Sequence, residues 1–391
     1  VKKCGNRYYW DEWASDIASI AQTHITRIKK IVTNPGNEKE AGAFQKFAEE
    51  IRDDLNDSIT DEEIIEMLAQ HLITKPVFEA LFAKYSFASH NPVSKAMQRV
   101  LAVLHEHRLE KEADTLGKFY DKFFRKAFPL TTKRLGIVYT PVEVVDFIIH
   151  SVDHLFQSEF GENLGSDGIH IIDPFAGTGT FITRLLQSGL IHPQKLARKY
   201  REEIHANEIV LLAYYIVAVN IEMAYHDLSG GDYEPFRGIC LTDTFGLYEK
   251  DDMISQLLED NSDRRSKQKR LDIRVIISNP PYSVGQRNED DNAKNIRYSE
   301  LDESIASTYA EKSKAANLNA LYDSYIRASR WASDRIGESG IIGFITNAGY
   351  LEAYMADGMR RCLAEEFSSI YIFHLKRQPE NIRRAFSPRG W

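Results

Sequence analysis

The stretch Leu271-Asp272-Ile273-Arg274-Val275-Ile276-Ile277-Ser278-Asn279-Pro280-Pro281-Tyr282 is a short apolar run, rich in β-branched residues, that stops at two prolines. Residues 271–278 predict a strand, and the prolines end it because neither can donate to a sheet ladder. Asn279 then sits at the strand's carboxyl end. Two fixed φ angles preset the Asn279 side chain and the Asn279 and Pro280 carbonyls, with the Tyr282 ring beside them. Such a trio suits chemistry on a planar amine, whose lone pair is delocalised into its ring. Acceptors aimed at the amine protons draw it toward tetrahedral geometry by positioning and preorganised dipoles alone. The plainer alternative is a strand followed by an ordinary Pro-Pro turn.

A second motif lies upstream: Asp173-Pro174-Phe175-Ala176-Gly177-Thr178-Gly179-Thr180-Phe181. It follows an expected strand, 169–172, and opens an expected helix, 181–187. Gly177 and Gly179 allow a tight turn close to a ligand, and the free N–H groups of the helix start favour a carboxylate. The third glycine of a dinucleotide fingerprint and the lysine of a phosphate loop are both absent.

Together, DPFAGTGTF and then NPPY resemble the cofactor and catalytic motifs of the S-adenosylmethionine-dependent amino-group DNA methyltransferases, in the N6-adenine branch called gamma. More narrowly, roughly residues 135–375 resemble the methyltransferase part of single-chain Type ISP restriction-modification enzymes. The resemblance implies a Rossmann-like α/β methyltransferase fold preceded by an all-helical domain. It also implies S-adenosylmethionine as cofactor, double-stranded DNA as partner, and nuclease and helicase-type motor domains earlier in the full-length chain. Asn279, Pro280, Pro281 and Tyr282 would hold and stack a flipped adenine. Residues 173–181 would bind the cofactor, and Tyr139, Thr140 and Pro141 would line its methionine end.

The composition fits a globular chain with a full core: 391 residues, 43% of them hydrophobic. Cys4, Cys240 and Cys362 are far apart, which implies a reducing, cytoplasmic compartment with neither a disulfide framework nor a zinc site. No HExxH or carboxylate cage is present, so no metal is expected. The most apolar run, 209–219, is too short to span a bilayer and reads as a buried helix, so no membrane partner is expected. A net charge of −8 argues against a generic nucleic-acid coat. The first residue, Val1, suggests a fragment or processed product.

Residues 1–130 read as helical and correspond by resemblance to a coupler between motor and methyltransferase. Phe44, Phe47, Ile51 and Leu55 follow one helix face, and Thr60 and Glu63 form a capping box. Asn91-Pro92 starts another helix. Tyr8, Tyr9, Trp10 and Trp13 are expected to pack against a neighbour rather than to stack bases. The join at 119–124 is shorter than the family resemblance implies, which suggests an internal deletion.

Residues 131–375 read as the catalytic domain. Thr140 and Glu143 predict a capping box, with Val145, Ile148, Ile149 and Val152 on the buried helix face. Glu208, at the end of the second strand, is placed as a ribose ligand; a plain acid at a helix N-terminus is the alternative. Asp243, after the third strand at 239–243, is placed to accept from the cofactor's adenine amine, with Phe245 against its ring. The basic run 264–270 is expected to be a solvated loop rather than a phosphate site. The long polar segment 283–319 is expected to cover the base or touch DNA. A helix at 321–336, a strand at 341–346, a helix at 355–367 and a strand at 370–375 complete a parallel-rich sheet.

Residues 376–391 are too short for the recognition domain that gamma enzymes carry after this point. Read in a shifted frame, Arg377 to Arg384 back-translates to Gly-Asn-Gln-Arg-Thr-Ser-Gly, a run associated with the family there, so a frameshift or truncated gene is expected. Two other functions stay open on this sequence. The same turn serves methyltransferases acting on protein glutamine or on ribosomal RNA, and a chain without target recognition could bind cofactor or a partner and modify nothing.

Overall fold

Glycine and proline punctuation cuts the second half of the chain into short strands joined by helices. The computed structural model describes residues 7–81, 90–104, 140–249, 257–282 and 297–375, with side chains from Ile20 onward in the first helix and as far as Lys75 in the third. Four helices come first: α1 (Arg7–Val32), α2 (Glu38–Asp54), α3 (Asp61–Leu81) and α4 (Pro92–Leu104). Local chemistry sets their starts. The Thr60 N–H donates to Glu63 Oε2 at 2.8 Å and the Glu63 N–H to Thr60 Oγ1 at 3.2 Å, a reciprocal cap on α3. At α4 the Ser94 N–H donates to Asn91 Oδ1 at 3.0 Å, one residue before Pro92 opens the helix.

The remaining elements alternate. They are α5 (Val142–Phe160), β1 (His170–Asp173), α6 (Thr180–Gln187), α7 (Pro193–Arg198), β2 (Ile204–Glu208), α8 (Leu211–Ser229), β3 (Ile239–Leu241), α9 (Glu259–Lys269), β4 (Ile273–Ser278), α10 (Ser299–Ile305), α11 (Ser324–Arg335), β5 (Ile341–Phe344), α12 (Gly349–Glu352) and α13 (Asp357–Glu366). The strands form one sheet of order β3-β2-β1-β4-β5, and every neighbouring pair is parallel. The chain runs outward from β1 to β3 and then returns to lay β4 on the other side of β1. This reversal opens a crevice beyond the carboxyl ends of β1 and β4, where ligands bind in doubly wound Rossmann-like sheets.

The helical part is not a separate body. Phe44, Phe47, Ile51 and Leu68 belong to the same apolar core as Ile171 of β1 and Val217 of α8. Polar contacts cross the same boundary: Asn91 donates to the Tyr214 hydroxyl at 3.2 Å, and His71 Nδ1 meets the Tyr215 hydroxyl at 3.0 Å. Arg265 of α9 pairs with Asp54 at the end of α2, both buried.

Several expectations change here. The basic run 264–270 is not a solvated loop, because α9 extends through Lys269 and Arg265 turns inward to neutralise the buried Asp54. Arg264 donates to the Phe236 and Ile239 carbonyls at 3.4 and 3.3 Å. Residues 370–375 form no strand: they hydrogen-bond to no sheet edge and leave Tyr371 and Phe373 exposed, Phe373 lying 4.8 Å from Phe147. Apolar alternation without a paired neighbour does not make a ladder. Part of the expected polar loop is helical, since α10 and a wide π turn at Ala306–Ala310 occupy its second half. The helix expected at 321–336 begins only at Ser324, after a 3₁₀ turn at Asn319–Tyr322. The helix expected at 355–367 is α13, preceded by a 3₁₀ turn at Tyr354–Ala356. Tyr139, the join at 119–124, residues 283–296 and the tail 376–391 lie outside the described residues, as do the side chains of Tyr8, Tyr9, Trp10 and Trp13.

Candidate active site

The two motifs meet at the point where strand order reverses. Asp173 ends β1, Ser278 ends β4, and the Ser278 hydroxyl donates to Asp173 Oδ1 at 2.6 Å. The Phe175 N–H donates to the same oxygen at 3.2 Å. Asp173 Oδ2 is buried with no hydrogen-bond partner, and burial pushes this carboxyl up to about 7 against those two donors. An orphaned acceptor here is suited to a cationic group entering the crevice.

One residue beyond Ser278, the Asn279 side chain is held at both ends. Its Nδ2 donates to Thr140 Oγ1 at 2.9 Å, and its Oδ1 accepts from the Tyr282 hydroxyl at 2.6 Å. The Tyr282 hydroxyl also lies 2.7 Å from the Ile345 carbonyl, which ties the turn to the end of β5. Burial pushes the Tyr282 phenol up to about 12, so it stays a neutral donor. Thr140 was expected in a capping box with Glu143. Instead α5 starts after Pro141 with no side-chain cap, because the Thr140 hydroxyl serves the Asn279 amide across 139 residues of sequence. Pro280 is buried and Pro281 half-buried, as the walls of a fixed turn.

The glycine loop crosses from β1 to α6. Gly177 (φ +56°) and Gly179 (φ +81°) both adopt the left-handed region, and Gly179 is the residue before α6 with no side-chain cap. A Cβ on Gly179 would meet Val217 Cγ2 at 2.6 Å, so the loop can lie on α8 only without one. Neighbouring strands hold the rest. The Ala176 N–H donates to the Asn207 carbonyl at 2.9 Å, Thr244 Oγ1 to the Pro174 carbonyl at 2.5 Å, and Asn220 Nδ2 to the Thr178 carbonyl at 2.9 Å. Thr178 and Thr180 bring their hydroxyls within 3.4 Å of each other, and Phe181 is buried.

Glu208, at the end of β2, accepts from the Gly177 N–H through Oε2 and from the Val210 N–H through Oε1, each at 2.8 Å. Burial outweighs those donors and pushes it up to about 7. A carboxylate with these donors still has lone-pair capacity for a hydroxyl donor. Asp243 is more heavily engaged: Oδ2 accepts from Asn56 Nδ2 at 3.1 Å and from the Tyr298 hydroxyl at 2.8 Å, and Oδ1 from the Phe245 N–H at 3.0 Å. Burial raises its pKa despite these bonds. Phe245 packs at 5.2 Å from Phe175 of the glycine loop and 5.4 Å from Tyr298.

Asp173, Glu208, Asp243 and Asn279 thus lie at or just beyond the carboxyl ends of β1, β2, β3 and β4. Sequence reading missed Asn56, took Tyr298 only as part of the polar segment expected to cover the base although its hydroxyl donates to Asp243, and placed Thr140 on the wrong partner. Ser278 was in view as the last strand residue, but its tie to Asp173 needs the sheet order. Among the described residues no cluster of three metal-ligating side chains occurs, and no helix is long and apolar enough to cross a membrane.

Comparison with known proteins gives the site its context. Residues 9–134 match the family model described as the coupler domain of Type ISP restriction-modification enzymes, and residues 111–325 match the N-6 DNA Methylase model. A nuclease-deletion mutant of the Type ISP restriction-modification enzyme LlaGI, solved with a DNA substrate mimic, is 42% identical with a TM-score of 0.84, over 94% of this chain and 32% of that one. The ATP-dependent Type ISP enzyme LlaBIII bound to DNA is 44% identical with a TM-score of 0.85, over 93% of this chain and 26% of that one. A DrdV–DNA complex is 32% identical with a TM-score of 0.78, over 91% of this chain and 37% of that one. This chain spans well under half the length of each. No curated protein matches it.

Proposed function

Because the chain belongs to the N-6 DNA methylase family, in its Type ISP restriction-modification branch, we propose that it transfers a methyl group from S-adenosylmethionine to the N6 amine of an adenine flipped out of double-stranded DNA. The orientation of the Asn279 amide carries this reading. With Nδ2 committed to Thr140, the acceptor oxygen faces the Tyr282 side of the turn, where a planar amine would lie. The second lone pair of Asn279 Oδ1 and the Pro280 carbonyl take the amine's two protons, and the Tyr282 ring stacks on the base. S-adenosylmethionine, when bound, supplies an electrophilic methyl group on a sulfonium.

The residues present fit that cofactor. The unpartnered Asp173 Oδ2 suits its ammonium group, Glu208 its ribose hydroxyls, and the Gly177–Gly179 loop the close approach of its backbone-facing side. At its adenine end, Phe245 offers a ring face and Asp243 shares its acceptor oxygens with the amine. Thr140 orients Asn279, and Pro141 carries the chain from there into α5.

In this reading residues 1–130 serve as the coupler and residues 131–375 carry the methyltransferase chemistry. Nuclease and helicase-type motor domains belong to the longer protein. The deciding experiment is transfer of labelled methyl from S-adenosylmethionine to mixed-sequence DNA, beside RNA and protein controls and an Asn279→Ala variant. Label on DNA adenine, lost in the variant, supports the assignment. Label on RNA or protein replaces the substrate, and cofactor binding without transfer to any of them marks a noncatalytic form.

A further inference from the structure

The turn after β3 is held from outside the α/β unit. Asp54 and Asn56 lie at the end of α2 and just beyond it, yet both reach this turn. The Asp54 carbonyl accepts from Thr242 Oγ1 at 2.9 Å, and Asn56 Nδ2 donates to Asp243 Oδ2 at 3.1 Å. The Asn56 amide cannot turn over without loss, because its Oδ1 accepts from the Ser58 N–H at 3.1 Å and from the Ser58 hydroxyl at 2.5 Å. A Cβ on Gly246 would come within 3.3 Å of the Leu55 carbonyl, so the two segments are in close contact. Behind them, Asn261 Nδ2 and Ser262 Oγ donate to Asp54 at 2.6 and 2.9 Å, beside the Arg265 pair.

From this arrangement we propose that Asn56, a residue of the helical part, is a positioning residue for the adenine end of the cofactor site. It fixes the rotamer of Asp243, and through the Asp243 bond to the Phe245 N–H it fixes the ring that faces the cofactor's adenine. Tyr298 supplies the second donor to the same oxygen. Cofactor affinity is then a property of both parts of the chain. Contacts that shift α2 change how well the purine amine is recognised, without touching Asn279. This inference rests on Asp243 accepting from the purine amine.

The test measures dissociation constants by calorimetry for S-adenosylhomocysteine and for S-inosylhomocysteine, which carries a carbonyl in place of the amine. The 391-residue chain is compared with Asn56→Ala, Asn56→Asp and Asp243→Asn. Asn56→Asp keeps an acceptor for Ser58 and, when ionised, has no proton to donate to Asp243. The unaltered chain is expected to favour the amine-bearing ligand by roughly tenfold, and both Asn56 variants to lose most of that preference through weaker S-adenosylhomocysteine binding. A preference kept in folded Asn56 variants but lost in Asp243→Asn would overturn the role of Asn56 alone. Equal weakening of both ligands, or loss of folding in both Asn56 variants, would reduce Asn56 to a structural contact. No preference in the unaltered chain would remove the Asp243 reading and this proposal with it.

Discussion

The Thr140 hydroxyl accepts from Asn279 Nδ2 at 2.9 Å, and together with the Tyr282 hydroxyl on Oδ1 at 2.6 Å it fixes which way the amide points. Without it the amide could present its NH₂ group to an amine, donor against donor. Thr140→Val keeps the shape and leaves the Asn279 donor unpaired, at a cost of about 1–3 kcal/mol. Methyl transfer is expected to fall at least roughly tenfold in kcat, and Thr140→Ser should restore it. Single-turnover kinetics with the two variants check this; equal rates for Val and Ser would remove the orienting role.

Tyr282 does two things that can be separated. Its hydroxyl lies between Asn279 Oδ1 and the Ile345 carbonyl, and its ring is the proposed stacking face for the base. Tyr282→Phe should retain transfer within a few-fold, because the ring remains and Asn279 Oδ1 is freed for the base. Tyr282→Ala should lose about 1–3 kcal/mol of base stacking. With 2-aminopurine at the target position, fluorescence on flipping reports the difference. Equal loss in both variants would assign the hydroxyl, not the ring, to catalysis.

These predictions also mark where the sequence was readable. The strand stopped by Pro280-Pro281 and the loop of Gly177 and Gly179 are local devices, and their backbone consequences follow from the residues themselves. Alternation of such strands with helices made the parallel sheet legible as well. Partnerships at long range were not. Arg265 in a basic run looks the same whether solvated or buried against Asp54, which lies 211 residues away. Asn56 carries no local mark of its bond to Asp243, 187 residues on. Thr140 had two chemically reasonable uses, a cap or a side-chain partner, and only the fold brings Asn279 within reach. The run 370–375 has strand-like residues, but strand formation needs an edge to pair with, and composition does not reveal that.

Gly179 is the position where the glycine loop tolerates least. An alanine there would combine a φ of +81° with a Cβ 2.6 Å from Val217 Cγ2. Gly179→Ala is expected to weaken S-adenosylmethionine binding by more than about tenfold while the circular dichroism spectrum stays unchanged. Adding Val217→Ala relieves the clash but not the φ strain, so affinity should return only in part. Full recovery would show that crowding alone set the requirement for glycine.

Arg265 should matter to stability rather than to chemistry. Burial raises the Asp54 carboxyl, opposed by Arg265, Asn261 and Ser262, so removing the guanidinium strands a buried charge. Arg265→Ala is expected to cost about 3–5 kcal/mol in urea unfolding. DNA affinity measured on the folded fraction should stay the same, since this side chain does not face solvent. A stable variant with weakened DNA binding would return the run 264–270 to the role of a phosphate contact.

If Asp173 meets the cofactor ammonium as proposed, it links cofactor binding to pH. Burial pushes its carboxyl up to about 7 in the folded chain, from an ordinary 3.8. A raised carboxyl stabilises the fold most below its unfolded pKa, and the contribution is lost as pH rises through the folded value. Between about pH 4 and 7 Asp173 therefore keeps a proton in the folded state that the unfolded chain has released. A cofactor ammonium beside Oδ2 favours the ionised form and expels that proton. Calorimetric titration with S-adenosylmethionine at pH 6, in buffers of different ionisation enthalpy, should register proton release that fades by pH 8. Glu208, also near 7, adds to the release if ribose hydroxyls donate to it, so Asp173→Asn should remove only part of the signal. If the binding heat is independent of buffer at pH 6, neither carboxylate meets the cofactor as placed here.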